Sequence, residues 1–315
     1  MIALIIVLFI VIYPIIMWTS VQNKKEKRKR EENERIQQHM QREAHLKKLR
    51  EEQEARLREE EQKHREEAEA RRRAEEERNA EYEKMVNSIK KCPIVISEEY
   101  AKKIPISFIN SLTYSTITIK SNLELLGNFV VIDTETTGLK SVSDEIIEIA
   151  AIRFRNFQPV EKFTSLLTSK KPIPERVTEI NHITDDMVAE KPYFQQIAHS
   201  LVNFIGDDNL VGHNLPFDLK FIVHYGANVT EKKRKYFDTL ALAQKTIKKV
   251  KMKWDREFGG YYEDYLSDGV LDHKLVTLCR YLDIPHSGTH RAENDALATG
   301  RLFQKLAEMR VNKMR

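Results

Sequence analysis

The hydrophobic pattern changes character along the chain. Residues 1–18 (MIALIIVLFIVIYPIIMW) carry no charge, a run long enough as a helix to cross roughly 30 Å of hydrocarbon. A basic cluster from Lys24 to Arg30 follows. Positive charge after the apolar run, and Met17-Trp18-Thr19-Ser20 where a cleavage site would need small residues, favour a retained anchor over a cleaved signal. The expectation is a transmembrane anchor at residues 1–20, single-pass, with the remainder facing the cytoplasm.

Residues 24–91 contain no Pro or Gly and are dominated by Glu, Arg, Lys, Gln and Ala, all strong helix formers. Glu precedes a basic residue by four at 26/30, 31/35, 43/47, 52/56, 54/58, 59/63, 61/65, 67/71 and 69/73, the favourable orientation for pairs on one helix face. Residues 21–91 thus read as a charged helical stalk or coiled coil. Leu46, Leu49 and Leu57 are followed only by scattered alanines until Met85 and Val86, so the a/d seam of a coiled coil is not sustained. A solvated single helix is the favoured form, with self-association through the stalk as the alternative. Its basic start suits anionic lipid headgroups.

Residues 92–125 return to a mixed composition, with Pro93, Pro105 and the β-branched stretch from Thr113 to Ile119. They form a connecting segment without an assignable role. From residue 126 to 315 the periodicity is that of an α/β domain. Phe129 to Thr134 is an apolar run of buried-strand type, and Ile146 to Phe154 and Val160 to Leu167 follow as the next two strands. Pro174-Glu175 opens a short helix, and Thr184-Asp185-Asp186 resembles an N-cap. Phe194, Ile197, Ala198, Leu201 and Phe204 recur at helical spacing, which core packing alone explains.

Charged residues make up 32% of the chain, yet the net charge is +4. The excess lies before residue 91, so overall charge does not announce a nucleic-acid binder. Cys92 and Cys279 are too few for a disulfide framework or zinc cluster and suit a reducing compartment.

Candidate chemistry begins at Asp133-Thr134-Glu135. Residues two apart on a strand share a face, so these carboxylates project together from a strand that is otherwise apolar. Mutual repulsion would raise a pKa unless a cation neutralised them, and hard oxygens suit Mg²⁺ or Mn²⁺. Gly138 lets the Thr136-Thr137-Gly138-Leu139 turn approach a ligand closely. Asp218 follows a strand that breaks at His213-Asn214 into a helix near Pro216; by itself it reads as a charge on the helix dipole. His290 precedes Asp295 by five residues, at the start of a terminal helix whose apolar side includes Leu302, Phe303 and Leu306.

Together these segments resemble the DEDDh exonucleases of the DnaQ-like family, the group containing the proofreading epsilon subunit of bacterial DNA polymerase III. Phe129 to Leu139 resembles the first family motif, Gly212 to Asp218 the second, and His290 to Asp295 the third. Asp144 to Ile149, Ile183-Thr184 and Phe237 to Leu240 fall where relatives carry similar segments. The resemblance covers roughly residues 126–310. It implies a ribonuclease-H-like fold with a central mixed five-stranded sheet. It also implies a 3′-to-5′ exonuclease that uses two divalent metal ions, Mg²⁺ or Mn²⁺, bound by Asp133, Glu135, Asp218 and Asp295, with His290 as general base. Thr136, Thr137, Leu139, His213 and Asn214 are the implied substrate contacts, and the implied partner is nucleic acid with a free 3′ end. DNA is the expected substrate; RNA, which the sequence barely distinguishes because both polymers present the same terminal phosphodiester, and a membrane-tethered nuclease-fold binding module without activity are the alternatives. Two departures stand out. Asn181-His182 replaces the His-Gly often seen before the Ile-Thr step and is expected to touch no catalytic position. The segment 248–270 is long for the family; its Lys248, Lys249, Lys251, Lys253, Trp254, Tyr261, Tyr262 and Tyr265 suit either a nucleic-acid strand or a loop folded on itself.

Overall fold

The computed structural model describes residues 13–107, 109, 112–250, 252–255, 259–263, 269–286 and 290–312. The chain divides into two compact units, Met1–Glu77 and Arg78–Arg315.

The first unit is helical throughout its described residues. Helix α1 runs Tyr13–Ser88, and between Met17 and Glu77 every side chain except half-buried Gln22 is exposed. Ile36, Met40, Leu46, Leu49 and Leu57 are each 47–64% exposed, so the apolar seam a coiled coil needs does not form and self-association through this helix is not supported. Of the expected ion pairs, Glu54–Arg58 and Glu69–Arg73 close. Lys27–Glu31, Lys47–Glu51 and Arg72–Glu76 close in the opposite orientation.

Among the described residues no helix is long and apolar enough to cross a membrane. The expected anchor at residues 1–20, and the single-pass placement with a cytoplasmic catalytic domain, are therefore withdrawn. The described part of the apolar run, from Tyr13 to Trp18, is short of a span at about 1.5 Å per residue, and α1 continues from it into charge. Residues 1–12 of the expected anchor lie outside the described residues.

In the second unit the last turns of α1 lead to β1 (Lys90–Lys91), α2 (Leu123–Leu126), β2 (Phe129–Thr136), β3 (Ile146–Arg155) and β4 (Gln158–Leu166). Helices α3 (Glu175–Asn181), α4 (Asp185–Val188) and α5 (Phe194–Ile205) follow, then β5 (Asn209–Gly212), α6 (Leu215–His224), β6 (Tyr236–Asp238) and α7 (Thr239–Thr246). A ribbon of β7 (Met252–Asp255) and β8 (Gly260–Glu263) precedes α8 (Leu275–Tyr281) and α9 (Ala292–Asn312).

The main sheet has the order β1-β4-β3-β2-β5-β6. It is mixed: β2, β3 and β4 are antiparallel, whereas β5 and β6 run parallel to β2 and β1 runs parallel to β4. It has one strand more than the expected five, because Lys90 and Lys91 pair with Glu161 and Lys162 at its edge. Backbone bonding makes that strand, so no hydrophobic pattern announces it.

Central β2 is apolar on both faces because helices cover both. Phe129 and Val131 enter one core with Phe154, Phe237, Leu302 and Phe303. Val130 and Ile132 enter the other with Phe163, Ile197, Leu201 and Ile222. Helix α9 lies close on the sheet: Phe129 and Phe303 ring centroids are 4.9 Å apart, and a Cβ added at Gly300 would stand 2.2 Å from the Phe154 ring.

The segment 92–125 lies across the second core. Cys92 N donates to Lys162 O at 2.7 Å, Ser97 N to Gln196 O at 2.9 Å, Ile104 N to His224 O at 3.1 Å and Ser115 N to Tyr236 O at 2.7 Å. Ile109 is buried in this second core, and Ile117, farther along the segment, is buried in the first. In the long insertion, Trp254 stands opposite Tyr261 and Lys253 opposite Tyr262 in the β7–β8 ribbon. Lys251 and Tyr265 lie outside the described residues.

Candidate active site

The site forms where ligands gather in open α/β sheets, beyond the carboxyl ends of adjacent parallel strands. β2 delivers Asp133 and Glu135, with a register shift between Glu135 and Thr136 that bends the strand end. β5 ends at Gly212, and Asn214 takes a left-handed conformation (φ 65°) that starts α6 and places Asp218 in its first turn. The first turn of α9 supplies Asp295. One carboxylate oxygen from each of Asp133, Glu135 and Asp295 lies within 4.8 Å of the others. Asp218 is not in that group. It is buried, and Thr134 Oγ1 donates to its Oδ1 at 2.7 Å.

Burial, then the charges of Asp218, Asp295, Glu135 and Glu148, push the Asp133 carboxyl well above the ordinary range. Burial drives Glu135 to about 8, opposed by a hydrogen bond from Asn181. Burial also drives Asp218 to about 7, opposed by the Thr134 hydroxyl. Buried, mutually repelling hard oxygens are the donor set a divalent cation relieves, so these residues fit such an ion.

His290 Nδ1 is 3.8 Å from Asp295 Oδ2, and the His290 side chain is 48% exposed. The other Asp295 oxygen meets His286 Nε2 at 2.7 Å. Among the residues missed by sequence reasoning, His286 had a signal, a second histidine four before His290. Glu148 and Arg291 had only their place beside the motifs. Arg291 forks onto Glu148 through Nε at 3.1 Å and Nη2 at 2.6 Å. Ala292 N donates to the same carboxylate at 2.9 Å. Glu148 faces Glu135 across β2 and β3, so this pair fastens the start of α9 to the sheet beside the acids.

Asn181 corrects an expectation. Its Nδ2 donates to Glu135 Oε2 at 3.2 Å, and its Oδ1 accepts from Ile183 N at 3.0 Å, so the Asn181-His182 change does touch a site residue. The left-handed conformation of His182 (φ 58°) ends α3 and turns Asn181 inward.

A cavity of about 410 Å³ opens beside Glu135, walled by Thr136, Leu139, Arg176, Ile180, Asn181 and Phe217 among others. Leu139 is 84% exposed at its rim. Thr136 Oγ1 donates to Gly138 O at 2.6 Å, and Thr137 Oγ1 accepts from Glu145 N at 2.9 Å. A Cβ at Gly138 would stand 2.5 Å from the Asp144 carboxylate, which itself holds Lys140 N at 2.7 Å. His213 points inward: Nε2 donates to His273 O at 3.0 Å and Nδ1 faces Thr239 Oγ1 at 2.9 Å. Burial lowers its pKa. Asn214 is exposed, and its N donates to Asp238 Oδ1 at 2.9 Å.

The RNase_T family, described as Exonuclease, matches residues 130–303. The DNA polymerase III subunit epsilon of Treponema pallidum is 35% identical over 178 residues, covering 56% of this chain and 74% of the relative. The DNA polymerase III PolC-type of Halalkalibacterium halodurans is 33% identical over 182 residues, 57% of this chain; the match spans only 11% of that polymerase. Among solved structures, Exonuclease X in complex with 5′ overhanging duplex DNA aligns at a TM-score of 0.42 and 22% identity, covering 58% of this chain and 98% of the other. The E. coli Exonuclease I complex with a dT13 oligonucleotide aligns at a TM-score of 0.47 and 18% identity, covering 60% and 42%. DnaQ-like exonucleases use two divalent metal ions, and Asp133, Glu135 and Asp295 form a group that could hold a metal ion. With more than half its length matched and the acids of the motifs gathered at one end of the sheet, the chain belongs to the DnaQ-like exonuclease family.

Proposed function

We propose that this exonuclease shortens nucleic acid from a 3′ end and releases 5′-mononucleotides, with DNA as the substrate. The carboxylate group of Asp133, Glu135 and Asp295 beside a nucleotide-sized cavity carries this reading. The DNA polymerase names of its relatives favour DNA. The active unit in this reading is Arg78–Arg315, with the chemistry carried by residues 126–315.

Asp133, Glu135 and Asp295 would hold the cations, with Asp218 assisting from its buried place behind Thr134. Divalent ions there supply positive charge to the attacking and leaving oxygens of phosphoryl transfer. The chain's own residues do the rest. His290, exposed on one side and beside Asp295 on the other, takes a proton from the attacking water. The water oxygen bonds to phosphorus, the bond from phosphorus to the 3′ oxygen of the preceding nucleotide breaks, that oxygen takes up a proton from solvent, and His290 returns the proton it accepted to solvent. In this reading Leu139 meets the last base, and Thr136 and Arg176, which line the cavity, receive the 3′ end. Thr137 and Asn214 act beside it, and His213, with both ring nitrogens engaged inside the protein, supports the motif.

The test is digestion of 5′-labelled single-stranded DNA and RNA in Mg²⁺ or Mn²⁺ by the full chain and by His290→Ala. DNA should shorten stepwise from its 3′ end, stop with chelator, and slow by about 10²–10⁴-fold in the variant. Internal cuts, shortening from the 5′ end, or equal rates in the variant would refute the mechanism. Faster digestion of RNA would overturn the substrate assignment alone.

A further inference from the structure

Asp295 differs from the other acids in having a buried histidine on one oxygen. Helix α8 ends at Tyr281, Asp283 turns left-handed (φ 53°), and Ile284 is buried against the first core. That anchor places His286 inside the domain: its side chain is 4% exposed and its Nε2 lies 2.7 Å from Asp295 Oδ1. An ionised carboxylate can only accept, so Nε2 carries the hydrogen of this bond. His290, on the exposed side, faces the other oxygen, Oδ2, at 3.8 Å. The two histidines thus divide one carboxylate between them.

We propose that His286 is a positioning residue for Asp295, fixing Oδ1 so that Oδ2 is the oxygen presented to a cation and to His290. This rests on the metal-dependent reading of the site above. A carboxylate held on one side loses the freedom to rotate that would otherwise be lost on binding the ion. Partners of this kind behind a metal ligand alter metal affinity or activity by about 10–100-fold when removed. His286 contributes geometry, whereas His290 contributes proton transfer, so their variants fail differently.

The experiment titrates Mn²⁺ into the full chain without nucleic acid, following free Mn²⁺ by electron paramagnetic resonance, alongside thermal melting and cleavage rates at saturating metal. His286→Ala should weaken Mn²⁺ binding by about 10–100-fold, with much of the cleavage rate recovered at high Mn²⁺. His286→Gln, whose amide can donate to Oδ1, should bind within about threefold of the parent. His290→Ala should keep its Mn²⁺ affinity and stay slow at every metal concentration. Unchanged Mn²⁺ binding in His286→Ala, or a lower melting temperature as its only defect, overturns the proposal. If His286→Ala does not fold, His286→Asn, whose amide is too short to reach, takes its place against His286→Gln, and equal affinities in the two overturn it. A parent chain that binds Mn²⁺ but digests no nucleic acid refutes the proposed function and leaves the His286 comparison readable.

Discussion

The helix of the first unit and the end of β2 are built from the same side chains and behave oppositely. Along α1, Glu and Arg stand in water, and pairs such as Glu54–Arg58 at 3.4 Å are side chains 66% and 79% exposed. Solvent screens each to a few tenths of a kcal/mol. At the end of β2, burial drives Glu135 to about 8, and Arg291 is locked in a fork on Glu148. The number of charges in a stretch therefore says little about its chemistry. What decides is whether the backbone withdraws those charges from water and points them at each other.

The hardest test of this contrast is to cut where the pattern, rather than the packing, ends. A fragment of residues 126–315 loses the buried Ile89, Ile109 and Ile117, about 1.5–3 kcal/mol each, a sum comparable with a whole domain's stability. It should show no cooperative melting, whereas 78–315 should melt as one unit; calorimetry on both fragments decides, and equal transitions would mean that the segment only decorates the fold. Next is Asp133→Asn, which removes a carboxylate from the cation group. Cleavage should fall by at least about 10³-fold, given that several kcal/mol of charge stabilisation are at stake. The metal-free protein should meanwhile melt higher because repulsion is relieved; a lower melting temperature would contradict the electrostatic account.

The pH dependence has a definite sign. Glu135 is raised from 4.5 to about 8 and Asp218 from 3.8 to about 7, so the metal-free native state holds protons that the unfolded chain releases. Their stabilising contribution is complete below about pH 4 and is lost as pH rises to about 8. Melting in chelator should therefore drop between about pH 5 and pH 8.5. Mn²⁺ at about 100 times its dissociation constant adds about 2.7 kcal/mol, or about 5–10 °C, mainly at the upper end where the carboxylates are deprotonated. Parallel pH profiles with and without Mn²⁺ would show that these acids do not meet the ion. The smallest effect belongs to the helix: Glu54→Ala should change its melting by no more than about 0.5 kcal/mol, checked by circular dichroism of the isolated segment.

Much of the fold was legible because β2 and β3 are apolar runs bounded by polar turns, and because two acids on an apolar strand demand explanation. The amphipathic stripe of α5 is buried as its spacing suggests. What escaped notice lacks local signal. Residues 92–125 reach the core through isolated side chains and backbone bonds to partners such as Lys162 and Tyr236, with no period to detect. Asn181 and Glu148 each reach their partners by folding, and a polar residue has no pattern that names a partner 46 or 143 positions away. The expected anchor fails on the described residues, where only Tyr13 to Trp18 of the apolar run are present and α1 passes from them into charge too soon to make a span.

Gly300 carries none of the chemistry, yet it sets the gauge on which that chemistry runs. With a methyl group there, 2.2 Å from the Phe154 ring, α9 would have to rise by about 1.5 Å to reach an ordinary contact distance. Asp295 rides on the same helix, and a misplacement of about 1 Å can cost about a hundredfold in rate. The spacing of acids contributed by opposite ends of the domain is thus governed by a hydrogen atom where every other amino acid has a carbon, and an error there would be read first in turnover.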